Sequence, residues 1–121
     1  MLFTDLIITY DNVLSDDFCS HLINKFENDE NKTRGVVGSG YREDIKKSTD
    51  LHISHYDGWK EEDEKLYESL SQYSGKYIEI LKEYFGYDAT QKCPIINDSG
   101  YQIQRTMEGE GYTWHSDEWD S

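Results

Sequence analysis

The stretch that most constrains the fold is Gln102–Ser121, where a strand-like run meets a glycine turn and the chain re-emerges as Tyr112-Thr-Trp-His115-Ser-Asp117. Tyr101 to Met107 alternates in the manner of a strand, and Gly109 and Gly111 mark a reversal. If the returning segment is also extended, His115 and Asp117, two residues apart, point to the same face. An imidazole and a carboxylate so placed supply two of the three protein ligands of a 2-His-1-carboxylate iron site, with a polar pair at a solvent-facing edge as the equal alternative.

Upstream, the clearest local signal is a helix start. Ser15 reads as an N-cap, with Asp16 and Asp17 at the positive end of the dipole and Leu14 at the staple position. Phe18, Cys19, Leu22, Ile23 and Phe26 then recur at helical spacing, and the polar run from Asn28 predicts the end. Leu6 to Tyr10 reads as a short strand, and Thr49 to Tyr56 as another with Leu51 and Ile53 on one side and His52 and Ser54 on the other. Residues 29–48 read as irregular, and Asp57-Gly58 as a turn. A second helix follows. Glu61, Glu62, Asp63 and Glu64 crowd its first turn. Leu66, Leu70, Tyr73, Tyr77, Ile80, Leu81, Tyr84 and Phe85 trace a stripe expected to pack on a sheet, and Gly86 suits the position after the helix. Gly75 lies inside it. Residues 87–99, with Pro94, read as a loop.

The chain of 121 residues suits one domain, 1–121. Only 36% of it is hydrophobic, but ten Tyr bury area while keeping a polar end, so a thin core is expected. The net charge of -13 opposes phosphate backbones and anionic lipid surfaces, which argues against nucleic-acid and membrane partners. Cys19 and Cys93 show no disulfide or metal spacing; Cys19 falls on the apolar helix face and reads as a buried small hydrophobe. Without a basic stretch leading an apolar run near Met1, a cytoplasmic location is expected.

His-x-Asp is a short motif. Chance alone gives about 0.4 such pairs at this composition, and His55-Tyr-Asp57 is a second one. Asp57 precedes Gly58 and therefore reads as a turn residue. A 2-His-1-carboxylate iron site needs one more His, on a strand distant in sequence. His21 is expected on the solvent face of the first helix. His52 and His55 precede the candidate strand, and none of the three is a convincing third ligand.

The segment from Tyr101 through Tyr-Thr-Trp-His115-Ser-Asp117 resembles the metal-binding region of the 2-oxoglutarate- and Fe(II)-dependent oxygenases, in the prolyl 4-hydroxylase-like branch. The upstream order of strand, capped helix, strand and long helix is similar to that branch as well. The resemblance implies an α+β chain: an incomplete double-stranded β-helix (jelly-roll, cupin-like) with two helices packed on the sheet. It implies His115 and Asp117 as metal ligands and Tyr112 beside the 2-oxoglutarate pocket, where a core aromatic is the competing reading. The positions where some members carry a co-substrate Tyr hold Arg105 and Thr106 here.

The implied cofactor is Fe(II), with 2-oxoglutarate as co-substrate and O2. The implied activity is a dioxygenase hydroxylating an unactivated C–H bond, with peptidyl proline one substrate class among several. The family's second His and its basic co-substrate clamp fall beyond Ser121, so the 121 residues are expected to be the N-terminal portion of such a domain and inactive alone. An unpaired sheet edge would favour self-association. The rival readings are a non-catalytic acidic interaction module without a metal and a structural divalent-metal site. Trp114 and Trp119 flank the ligands and read as sheet-packing aromatics.

Overall fold

A computed structural model describes residues 3–86 and 98–117. The loop expected around Pro94, together with Cys93 and Trp119, lies outside the described residues. Those described form a mixed α+β arrangement of two helices and two small antiparallel sheets.

Helix α1 (Asp16–Glu27) begins where the sequence places it: Ser15 Oγ accepts from the Phe18 amide at 3.1 Å, and Asn28 caps the other end. Its inward face is narrower than the predicted stripe. Phe26 is buried and Leu22 packs beside it, but Ile23 is largely exposed and Cys19 only partly covered.

Strands β1 (Thr33–Arg34), β3 (Thr49–His52) and β4 (Gln102–Arg105) make one sheet in the order β1-β3-β4. In it Leu51 pairs with Ile103 and His52 with Gln102. The predicted strand at 49–56 holds only to His52; a 3-10 turn carries Ile53–His55, yet Leu51 and Ile53 both face the core as expected. Strands β2 (Lys46–Lys47) and β5 (Gly111–Tyr112) form a second, two-stranded sheet. Sequence periodicity cannot show two-residue strands such as β1 and β2.

Helix α2 (Lys60–Phe85) ends at Gly86, whose φ of 67° is the left-handed conformation glycine adopts freely. Leu66 reaches the core, where Phe26, Leu51, Ile53 and Trp59 are buried. The expectation that the whole stripe packs on the sheet is not met. A 26-residue helix runs about 39 Å, whereas a four-residue strand spans only about 13 Å. Leu70, Tyr84 and Phe85 stay exposed.

The predicted strand at Leu6–Tyr10 does not form. Phe3–Leu6 is a 3-10 turn, and residues 7–10 run beside α2. A strand needs an edge to pair with, and a helix offers none. Side chains hold the segment instead: Tyr77 Oη donates to the Leu6 carbonyl at 2.9 Å, and the Tyr10 ring lies 4.8 Å from that of Tyr73.

Candidate functional site

The turn that leads from β4 to the candidate ligands is built by local rules. After β4, Glu108 and Gly109 make the turn, with the Glu110 amide donating to the Met107 carbonyl at 3.0 Å. The Glu110 carboxylate accepts from the Met107 amide at 2.9 Å. Strand β5 then pairs Tyr112 with Lys46, and the Thr113 amide donates to the Ile45 carbonyl at 2.9 Å.

The strand stops there. His115 and Asp117 lie in irregular backbone, which corrects the expectation that they alternate along one strand face. Their side chains nevertheless meet, with His115 Nε2 3.2 Å from Asp117 Oδ1. Two contacts orient the imidazole. It stacks on the Tyr112 ring, centroids 3.6 Å apart and 14° from parallel, and its Nδ1 lies 2.7 Å from the Thr113 carbonyl.

That carbonyl can only accept, so Nδ1 donates to it; the Asp117 carboxylate also only accepts, and Nε2 faces it either as a donor or across a shared cation. A histidine held through its far nitrogen by a backbone carbonyl is the usual arrangement behind a metal-bound imidazole. The spacing agrees with this. Two donors each about 2.1 Å from an ion and at right angles are about 3 Å apart. The separation is thus compatible with two neighbouring positions around a cation, and equally with a direct ion pair. Among the described residues no group of three His, Cys, Asp or Glu side chains is gathered to hold a metal.

Asp117 is 98% exposed and the His115 side chain 35%, so the pair sits at the surface. A cleft of about 330 Å³ is lined by Tyr112, Thr113, Trp114 and His115. Trp114 is fully exposed, which overturns its reading as a sheet-packing residue: β5 has ended before it and offers no sheet face. Tyr112 is partly exposed, and Lys46 Nζ lies 5.2 Å from its ring centroid.

The remaining histidines stand elsewhere. His52 and His55 stack on each other at 5.3 Å, and Asp57 opens the 3-10 turn Asp57–Trp59 as its neighbour Gly58 suggested. His21 is half exposed, as expected, but joins a network the sequence did not reveal. Glu62, buried at the start of α2, accepts from Lys25 Nζ at 2.8 and 3.0 Å and lies 3.2 Å from His21 Nε2. Burial alone would raise the Glu62 carboxyl, but hydrogen bonds from Lys25 and His21 outweigh it and hold it below the ordinary value. The Lys25 ammonium also lies over the buried Trp59 ring at 4.7 Å. Trp59 Nε1 donates to Asp29 at 2.8 Å, the largest of the causes that lower the Asp29 carboxyl.

No protein-family model, curated protein or solved structure matches this chain. Among the described residues no helix is long and apolar enough to cross a membrane.

Proposed function

We propose that the chain is part of an Fe(II)- and 2-oxoglutarate-dependent dioxygenase, with His115 and Asp117 as two of the metal ligands. The observation that supports this is the 3.2 Å approach of His115 Nε2 to Asp117 Oδ1, with Nδ1 tied back to the Thr113 carbonyl. Bound iron would supply the oxidising chemistry that hydroxylates a C–H bond. The chain's own residues do the orienting. The Thr113 carbonyl holds Nδ1, the Tyr112 ring backs the imidazole, and the cleft beside Trp114 leaves room for small ligands. On this reading the complete domain is a double-stranded β-helix, α1 and α2 cover one of its sheets, and the protein is cytoplasmic.

The test uses Mn(II), which accepts the same nitrogen and oxygen donors. Paramagnetic broadening of NMR signals is expected at Tyr112 to Asp117 and to vanish in His115→Ala. Turnover is read as succinate released from 2-oxoglutarate by the protein carrying its natural flanking sequence, and His115→Ala abolishes it. Equal broadening in wild type and His115→Ala, with no turnover in either, overturns the proposal.

A second reading, an acidic interaction module, draws on a different observation. Val13, Leu14, Leu66, Leu70, Tyr73 and Tyr101 line an apolar groove of about 380 Å³ along α2. In that case His115 and Asp117 form an ordinary surface ion pair, and Mn(II) leaves their signals unchanged.

A further inference from the structure

A buried ammonium group lies one aromatic ring away from His115. Lys46 is only 7% exposed, and it is the direct cross-strand partner of Tyr112. Its Nζ lies 5.2 Å from the centroid of the Tyr112 ring, and that ring carries the His115 imidazole at 3.6 Å. We propose that Lys46 is a positioning residue for His115, acting through Tyr112, an inference that rests on the metal-site reading above.

Burying an ammonium group is costly unless it is paired. Here Asp50 Oδ2 lies 3.3 Å from Lys46 Nζ, and Ser48 Oγ donates to the other Asp50 oxygen at 2.8 Å. Room for the cluster comes from Gly35, whose amide donates to the Ser48 carbonyl at 3.0 Å. A Cβ on Gly35 would stand 2.2 Å from Ser48 Oγ, 3.0 Å from Lys46 Cε and 3.2 Å from Asp50 Oδ2. No side chain fits there without displacing all three.

Stability alone does not account for such a cluster, because apolar residues of similar volume often serve as well as a buried ion pair. What an apolar residue cannot supply is a directed attraction to the face of an aromatic ring. That attraction grows when the cation is desolvated. Tyr112 needs it, since it is 40% exposed on a two-residue strand and core packing does not hold its ring. The order of support runs from Gly35 through Asp50 and Lys46 to Tyr112, and from Tyr112 to His115.

The experiment compares wild type, Lys46→Arg and the double variant Lys46→Met/Asp50→Asn by NMR at one fixed pH. The double variant removes both charges and leaves neither buried alone, while Ser48 can still donate to the Asn oxygen. In metal-free wild type and Lys46→Arg, the His115 ring protons are expected upfield, shielded by the Tyr112 ring. The double variant loses that shift while the Leu51 methyl and Trp59 indole signals stay in place. Mn(II) affinity at His115 falls about tenfold with it, the scale seen when groups supporting a metal ligand are removed. Where the double variant does not hold its fold, Lys46→Gln/Asp50→Asn, which allows a hydrogen bond between the two side chains with no charge on either, is read in the same way. Retention of the upfield shift overturns the inference, whatever the metal does. Loss of the shift in the variant, with no Mn(II) broadening in any protein, supports the positioning role and sinks the metal-site reading.

Discussion

The imidazole of His115 lies face to face with the phenol ring of Tyr112, 3.6 Å between centroids and 14° from parallel. Two flat groups in this arrangement share one orientation, so the ring that is less free to turn dictates the plane of the other. Truncating Tyr112 to Ala therefore releases His115 to turn about its side-chain bonds. The expected result is Mn(II) binding about tenfold weaker, by paramagnetic broadening. Stability to urea changes by less than about 1 kcal/mol, because Tyr112 is partly exposed and outside the core.

Glu62 and Asp29 should each contribute to a loss of stability in acid. Both carboxyls sit below their ordinary values of 4.5 and 3.8, Glu62 because its hydrogen bonds outweigh its burial and Asp29 chiefly through Trp59. The unfolded chain then binds more protons than the folded one in the acid range, so stability rises with pH there. Their contribution is fully present above the ordinary values and is lost as pH falls through the lower folded ones. Glu62→Gln should cost about 1–3 kcal/mol at neutral pH, the usual cost of depriving buried polar groups of their partner. It should also flatten the acid limb of a stability-versus-pH curve measured by urea unfolding.

Tyr101 should contribute a loss of stability in base. Burial, and then the hydrogen bond it donates to Asp98 at 2.5 Å, push its phenol from 10.0 up to about 12. The folded chain holds this proton longer than the unfolded one. Its contribution is complete below pH 10.0 and disappears as pH rises toward about 12. Tyr101→Phe should remove that segment of the curve and leave the acid side unchanged. Ultraviolet titration of tyrosinate against circular dichroism would show it.

Gly75 lies in the interior of α2, and a Cβ added there meets nothing within 4 Å. Gly75→Ala should therefore stabilise the protein by up to about 1 kcal/mol, since the helix loses a flexible residue and gains no clash. Thermal unfolding would register a higher midpoint. An unchanged or lower one would mean that this part of α2 is not helical in solution.

Features governed by neighbouring residues were legible in the sequence. Ser15 with Asp16 and Asp17 marks the start of α1, Gly86 the end of α2, and the alternation from Tyr101 gives β4. Leu6 to Tyr10 has strand-like composition, but only a partner edge could make it a strand, and composition does not report partners. Trp59 gave no periodic signal because it is buried from within a turn. The candidate site divides in the same way. The pairing of His115 with Asp117 was visible in their spacing. The means by which they meet was not, since it depends on a ring stack and a carbonyl rather than on strand alternation. Lys25 and Glu62 are 37 residues apart, and Lys46 meets Tyr112 only across the sheet, so neither contact leaves a local pattern.

The ribbon of β2 and β5 has two residues per strand, and the candidate ligands follow directly on its end. So short a ladder opens at little free-energy cost, without the rest of the protein unfolding. An ion that binds only the closed form would spend part of its binding free energy on holding the ribbon shut. Hydrogen exchange at the Thr113 amide, which donates to the Ile45 carbonyl, should therefore slow on metal addition, while exchange at Leu51 stays as it was. The ribbon would then act as a latch whose closure reports occupancy.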